Sequence, residues 1–232
     1  MPPDPTPSAQ TGEPAARCCG VSVRYRTATA VVDAVRDIDA TFERGRLSVL
    51  AGPSGSGKSS LLRTMAGLQL LHAGSVVVDG VDVGRLGARA RRRLRRRSIG
   101  VVLEEPADNL LPYLRAEEQV ALAARLRGAD ASKAGGLLAA LGLADRTRLH
   151  PEELSGGEQQ RVAFAAAAVG HPALLLADEP TAALDTRSGA LVIEAMRDLV
   201  ATGRTLVVAS HDPAVIAAAD AMVTLRDGRV LA

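Results

Sequence analysis

The residues with the clearest chemical potential form a glycine-rich loop between two apolar segments. Residues 47–51 have the composition of a buried strand, and residues 61–66 have that of a helix. In this setting the pattern G-x-x-x-x-G-K-[ST] is typical of a P-loop, whose backbone N–H groups surround phosphates at a helix N-terminus. An ordinary Gly/Ser turn is the alternative. The predicted nucleotide-binding residues are Gly52, Pro53, Ser54, Gly55, Ser56, Gly57, Lys58, Ser59 and Ser60.

Two carboxylates and a histidine follow other predicted strands. Asp178 and Glu179 end the apolar run 172–177, which is typical of a strand buried on both faces of a parallel sheet. Beside a P-loop in which Lys58 contacts the β- and γ-phosphates, the first acid joins Ser59 in holding Mg²⁺ and the second orients the attacking water. His211 follows residues 206–209 on the ligand side of an α/β sheet, although position alone favours a capping residue over a γ-phosphate sensor.

Two further positions leave alternatives open. Ser155, Gly156, Gly157 and Glu158 precede an alanine-rich helix, where they form either an N-terminal cap or a second phosphate contact. Tyr25 lies ahead of the P-loop and is one of only four aromatic residues. Its ring either stacks on a base or packs in the core, and the pattern alone favours the core.

Composition limits the class of protein. The 232 residues suffice for one large domain or for a core with an inserted lobe, and 47% of them are hydrophobic. The net charge of +2 gives no general nucleic-acid signature, and no apolar run approaches the roughly 20 residues of a membrane span. The N-terminus lacks the pattern of a signal peptide. The adjacent cysteines Cys18 and Cys19 cannot form a disulfide that joins distant segments of the fold, so we expect a soluble protein of a reducing compartment.

The order of the segments predicts the domain organisation. Residues 1–18 are rich in Pro, Ser, Thr and Gly and are predicted to form a disordered tail, followed by a domain over 19–232. Residues 19–42 alternate like an antiparallel pair of strands, and a helical subdomain is predicted at about 106–165. The arginine run over 85–97 could grip nucleic acid, but a solvated helix face is the favoured interpretation.

Taken together, these residues resemble the ATP-binding subunit of ATP-binding cassette (ABC) transporters from residue 21 onward, most closely the lipoprotein-release, macrolide-efflux and cell-division branch. Leu154-Ser155-Gly156-Gly157-Glu158 resembles the signature motif that separates this family from other P-loop NTPases. The resemblance implies an α/β fold: a P-loop NTPase (RecA-like) core with an antiparallel β subdomain and an inserted α-helical subdomain.

The resemblance also implies roles for individual residues. Tyr25 matches the residue that stacks on adenine, which reverses the preference for the core. Asp178 matches the aspartate that supports Mg²⁺, Glu179 the catalytic glutamate and His211 the switch histidine, while Asp185 closes a segment resembling the D-loop. Ser155, Gly156, Gly157 and Glu158 would act in trans, so the active unit would be a head-to-tail dimer, most simply a homodimer, enclosing two ATP.

One position departs from the family pattern. Where the family has a glutamine that contacts Mg²⁺ and the attacking water, this chain has Glu104, an assignment that rests on its spacing from Ile99-Gly100 and that leaves Glu105 as the alternative. A carboxylate remains an oxygen ligand for a hard cation. It adds negative charge near the triphosphate, however, so we expect slow hydrolysis or weakened coupling.

Three functions follow from the resemblance. The favoured one is an ATPase that couples dimer closure and opening to a separate transmembrane permease, which would place the chain in the cytoplasm at the inner face of the cell membrane. The second is a soluble cassette acting on ribosomes or DNA, which is disfavoured because such members carry two cassettes or a long coiled coil; no nucleic-acid partner is expected. The third is a nucleotide-gated switch with weak ATPase activity.

Overall fold

The computed structural model describes residues 12–26 and 31–231 of the chain. Ten strands and seven α-helices are assigned within them, joined by short 3-10 turns. The strands are β1 Ala16–Arg26, β2 Val31–Phe42, β3 Leu47–Ala51, β4 Ala73–Val78, β5 Val81–Asp82, β6 Ile99–Val102, β7 Leu174–Asp178, β8 Leu206–Ser210, β9 Ala221–Arg226 and β10 Arg229–Val230. The helices are α1 Lys58–Met65, α2 Ala88–Ser98, α3 Ala116–Arg127, α4 Ala134–Ala140, α5 Gly156–Ala168, α6 Thr186–Ala201 and α7 Pro213–Ala217.

The first sheet is antiparallel, as the alternation over residues 19–42 predicts. Its order is β2-β1-β4-β5, and β1 pairs with both β2 and β4. The predicted tail boundary at residue 18 is wrong, because β1 already begins at Ala16. Ala15 and Cys18 are buried, and the Ala15 N–H donates to the Phe42 carbonyl. Small side chains can be buried in a strand despite their Pro- and Gly-rich surroundings; residues 1–11 lie outside the described part.

The second sheet positions the residues that are predicted to bind and hydrolyse the nucleotide. Its order is β10-β9-β3-β8-β7-β6, with parallel pairing from β9 to β6 and an antiparallel β10 at one edge. Every residue of β3 and β8 is buried. Alternate residues of one strand belong to different core clusters, with Val49 on the side of the helical segment and Leu50 on the side of α1 and the antiparallel sheet. Burial on both faces explains the uninterrupted apolar runs.

The helical segment between β6 and β7 contains α3, α4 and α5, and it encloses the range predicted for the helical subdomain. Its core is made largely of alanine and leucine, with Phe164 as the one large ring and fully buried. The C-terminal half of α5 also packs on the central sheet, since a Cβ at Gly100 would lie 2.4 Å from the Ala167 carbonyl oxygen. That close approach holds the helix against the edge strand β6.

Among the described residues, none of the helices combines the length and the apolar content needed to cross a bilayer.

Candidate nucleotide-binding and catalytic site

The P-loop connects β3 to α1 at the carboxyl edge of the parallel strands. Two of its glycines are required by backbone that lies close by. A Cβ at Gly52 would lie 2.2 Å from the Leu225 carbonyl oxygen, and one at Gly57 would lie 2.3 Å from that of Ala34. Both residues also have positive φ, at 148° and 102°. The loop is therefore walled by β2 and β9, whereas a Cβ at Gly55 would meet nothing within 4 Å.

Free donors at the start of α1 fit a phosphate group. The N-cap Gly57 has no side chain, so no side-chain hydrogen bond caps the first amides of the helix. The hydroxyl of Ser56 is buried and has no hydrogen-bond partner among the described residues. Uncapped amides and a helix dipole favour an anion at this end. The local structure thus has the properties that the sequence predicts for a triphosphate cradle.

Lys58 is held inside the loop. Its side chain is 5% exposed, and its ammonium group donates to the Gly52 and Pro53 carbonyls at 2.7 and 3.1 Å. The same nitrogen lies 3.3 Å from Glu179 Oε1. A buried ammonium needs such partners, and a phosphate entering the loop would offer oxygens that replace them.

Ser59 and Asp178 come together at the point where β7 leaves the core. The Ser59 hydroxyl donates to Asp178 Oδ1 at 2.7 Å. The pair presents two hard oxygen ligands beside the phosphate cradle, which suits Mg²⁺ because that cation usually takes few protein ligands and completes its shell with phosphates and water. Arg63, one turn along α1, approaches Asp178 Oδ2 at 3.9 Å and was not predicted from the sequence.

Glu179 lies between Lys58 and His211. Its Oε1 is 3.0 Å from Nδ1 of His211, and the backbone N–H of His211 donates to Oε2 at 3.3 Å. The residue has a φ of 43°, a left-handed conformation that is uncommon for a non-glycine residue. Its N–H donates to the Ala209 carbonyl, which helps to hold that conformation. Local strain of this kind is concentrated at functional sites.

Tyr25 lies beside α1, the helix that follows the P-loop. Its hydroxyl donates to Ser60 Oγ at 3.2 Å, and its ring is partly buried against the core that contains α1. The structure therefore brings Tyr25 to the phosphate cradle and also gives it core contacts. Both alternatives for its role remain compatible with this position, and stacking on adenine stays a prediction.

The signature segment caps α5. Ser155 is the N-cap, its hydroxyl accepts from the Glu158 N–H, and the Glu158 carboxylate accepts from the Ser155 N–H in return. Glu158 is also paired with Arg146 at 2.8 Å. Partial burial acts to raise the pKa of this carboxyl, but hydrogen bonds from Ser155 and Arg146 outweigh burial and hold it below its ordinary value. Glu158 thus has a capping role within its own chain, and its predicted role in trans is untested.

The signature glycines pack against the predicted D-loop and α6. A Cβ at Gly156 would lie 3.1 Å from Leu184, and one at Gly157 would lie 2.8 Å from Ser188. Asp185 caps α6 by accepting from the Arg187 and Ser188 N–H groups. Within the described residues, no hydrogen bond or ion pair joins the signature segment to the P-loop of the same chain.

Glu104 follows β6 at the carboxyl edge of the second sheet, and its predicted role as a metal ligand stays a prediction. Its side chain is exposed and makes no hydrogen bond or ion pair within the described ranges. The backbone of the preceding Leu103 is fixed instead, because its N–H donates to Asn109 Oδ1 at 2.7 Å and its carbonyl accepts from Asn109 and Gln160, both at 3.1 Å. Gln160 is fully buried on α5. This link ties the Glu104 loop to the signature helix, and no local sequence pattern indicates it.

The hydrogen bond from Gln160 to the Leu103 carbonyl can be tested with Gln160→Leu. The substitution leaves Leu103 and Asn109 with fewer partners, so we expect a loss of about 1–3 kcal/mol in the free energy of unfolding. We also expect a lower kcat with little change in nucleotide affinity, because the Glu104 loop loses its connection to α5. Gln159→Leu is the matched control, since Gln159 donates only to the Pro151 and Leu154 carbonyls. Equal kcat values for the two variants in steady-state assays would contradict the coupling.

The sheet order, the glycine-dependent loop and the acids at the carboxyl edge define the chain as a P-loop NTPase. A family model described as ABC transporter matches residues 35–182, and the chain belongs to that family. It has the fold of the family's ATP-hydrolysing cassettes. The predicted fold class is therefore confirmed.

Similar proteins agree on this assignment. An ABC transporter ATP-binding protein of Thermotoga maritima is 40% identical over 210 residues, which are 89% of each chain. The macrolide export ATP-binding/permease protein MacB 1/2 of Paracoccus denitrificans is 42% identical over 97% of this chain, but the chain spans only 34% of that relative. The solved dimer of the ATP-binding cassette MJ0796 with ADP and Pi superimposes with a TM-score of 0.83 and 31% identity, covering 94% of this chain and 97% of that one.

Proposed function

We propose that two copies of this cassette close head to tail on two ATP molecules, hydrolyse them with Glu179 and drive a separate membrane permease. The observation that carries this proposal is the convergence of Lys58, Ser59, Asp178, Glu179 and His211 at one edge of the sheet. The permease would hold the chain at the inner face of the cell membrane.

The separation of the signature segment from the P-loop supports a composite site. Ser155, Gly156 and Gly157 lie at the N-terminus of α5 and, among the described residues, make no hydrogen bond to the phosphate cradle of their own chain. Such an end can donate to the γ-phosphate held by a partner cassette. The similar cassette MJ0796 was solved as a dimer.

In the proposed reaction each residue has a step in phosphoryl transfer. The P-loop amides and Lys58 would neutralise charge on the β- and γ-phosphates, and Ser59 and Asp178 would hold Mg²⁺, which would supply further positive charge. Glu179 accepts a hydrogen bond from the attacking water and aligns it with the γ-phosphorus. His211 orients the Glu179 carboxylate through the 3.0 Å contact and can donate to the departing phosphoryl group.

An exposed apolar surface next to Glu104 supports the permease contact. Leu103, Leu111 and Tyr113 are 40%, 37% and 69% exposed and lie on either side of the same loop region. Exposed apolar side chains grouped in this way are typical of protein contacts. Asn109 and Gln160 fix this loop to α5, the helix that begins at the signature segment. A permease that displaces this surface would therefore also displace α5.

Hydrolysis measured over a range of protein concentrations tests the composite site. We expect specific activity to rise with concentration and to saturate, because monomers lack half of each site. Glu152→Gln, at an exposed position that makes no described contact, serves as the control for substitutions. Specific activity that is constant down to concentrations where the chain is monomeric by light scattering would exclude the dimeric site.

A nucleotide-gated switch is the second candidate, and Glu104 is the observation that favours it. If the Glu104 carboxylate approaches the bound triphosphate it adds repulsion and lacks the amide donor, so we expect Glu104→Gln to raise kcat several-fold while ATP affinity changes little. The effect should be largest with the permease present. If Glu104→Gln leaves turnover unchanged in that complex, Glu104 does not restrain hydrolysis. Glu152→Gln is the control, because Glu105 is the alternative residue for the same position.

A further inference from the structure

The helix α2 carries a dense positive charge that the ATPase site does not use. Seven of its eleven residues are arginine and none is acidic. Leu94 is buried, while Arg91 and Arg95 point inward and donate to the Leu86 and Gly67 carbonyls at 2.8 and 2.9 Å. These contacts fix the rotation of the helix. The remaining arginines are Arg89, Arg92, Arg93, Arg96 and Arg97, here called the arginine face.

The arginine face is a single continuous surface. Its members follow the spacing i, i+3, i+4, i+7 and i+8, so they lie along one side of the helix, and all five are exposed. None of them forms an ion pair within the described ranges, whereas the nearby Arg85 is paired with Asp82. Like charges at these spacings repel one another and destabilise the helix. An anionic partner would remove that repulsion.

We propose that the arginine face binds the anionic phospholipid surface of the membrane next to the permease. Guanidinium groups bind phosphate oxygens in a bidentate manner, and a cluster of basic residues on a helix is suited to anionic headgroups. This proposal rests on the proposed function, because the permease would bring the cassette to the bilayer. The face then supplies a second, electrostatic contact.

The position of α2 is consistent with such a contact. The helix leads directly into β6, and the residues after β6 form the apolar surface that we assign to the permease. The four residues of β6, a length of about 13 Å, lie between the end of α2 and Leu103. A cassette docked through Leu103 and Tyr113 can therefore present the arginine face to lipid close to the same permease.

Nucleic acid fits the face less well. Single-stranded binding surfaces combine positive charge with aromatic rings on which bases stack. The chain has only four aromatic residues, and none is on α2. Phe42 and Phe164 are buried, Tyr25 lies at the P-loop and Tyr113 lies beyond β6.

Vesicle co-flotation tests the proposal without nucleotide. The probes are phosphatidylcholine vesicles and vesicles that contain about one third phosphatidylglycerol, at low and at physiological salt. The test variant replaces the arginine face with glutamine: R89Q, R92Q, R93Q, R96Q and R97Q. The matched control loses the same charge from five exposed arginines elsewhere, as R17Q, R125Q, R148Q, R226Q and R229Q.

We expect the wild type and the control variant to bind the anionic vesicles in a salt-sensitive manner and to ignore neutral vesicles. Each arginine near an anionic surface contributes on the order of a fivefold gain, so the test variant should bind at least about a hundredfold more weakly. Equal binding by the two variants, equal binding to neutral vesicles, or no binding by the wild type at low salt overturns the proposal. Binding of RNA or duplex DNA that depends on the face, without vesicle binding, also overturns it.

Two controls separate this result from folding and from the ATPase mechanism. Circular dichroism and ATP affinity should be the same in the test and control variants, because the side chains of the arginine face make no hydrogen bond or ion pair with the nucleotide site in the described part of the chain. If the ATPase proposal fails, hydrolysis is absent while vesicle binding is unaffected. Loss of vesicle binding with intact hydrolysis identifies the failure of the lipid contact alone.

Discussion

Glu179→Gln lowers kcat for ATP hydrolysis by about 10²- to 10⁴-fold and leaves ATP binding intact, because it removes the charge that activates water but keeps an oxygen that can accept from His211. The neutral side chain also relieves repulsion between the carboxylate and the γ-phosphate. We therefore expect the variant to remain as an ATP-bound dimer. Single-turnover hydrolysis and size-exclusion chromatography with ATP measure the two effects.

The control for this substitution is Glu152→Gln, which changes the same functional group at an exposed position. It should hydrolyse ATP at the wild-type rate. Rapid turnover by Glu179→Gln would show that another group activates the water. A monomeric ATP-bound form of the variant would instead argue against closure by ATP.

Lys58→Ala produces the second large effect. The substitution removes the buried ammonium that lies 3.3 Å from Glu179 and is hydrogen-bonded to two carbonyls of the loop. Loss of one preorganised donor to the transferred group lowers the rate by about 10²- to 10³-fold. Because Lys58 also contacts phosphates in the ground state, nucleotide affinity should fall together with kcat.

Lysine chemistry offers a direct control. The only other lysine of the chain is Lys133, which is exposed on the helical segment. Lys133→Ala should retain full activity and affinity. Amine-reactive labelling of the wild type should be slowed by ATP at Lys58 and not at Lys133; equal protection of both lysines would place the nucleotide elsewhere.

Local sequence patterns predicted the parts of the site that are contiguous in the chain. The P-loop and the strand ending in Asp178 and Glu179 follow from periodicity and from turn chemistry. Each pattern is confined to one element and its flanking loop. Their meeting at one sheet edge follows because the carboxyl ends of parallel strands lie together.

Contacts between distant segments could not be predicted in this way. Nothing around Leu225 or Ala34 indicates that their carbonyls enclose Gly52 and Gly57, and β9 and β10 were missed altogether. The link from Gln160 to Leu103 joins residues 57 positions apart. Such contacts depend on the packing of whole elements. The burial of small residues near the N-terminus was likewise not predicted. The fold therefore begins earlier, at β1, than the predicted boundary at residue 19.

Mixing two inactive chains tests the composite site most directly. Lys58→Ala disables the P-loop, and Gly156→Asp places a negative charge where the signature segment would meet the partner's γ-phosphate; at 3.1 Å from the end of the Leu184 side chain, the new Cβ needs only a small adjustment. Each variant alone should be nearly inactive. A mixed dimer holds one intact site, so an equal mixture should recover up to about a quarter of wild-type activity. An equal mixture that is no more active than its components would contradict a site shared between two chains.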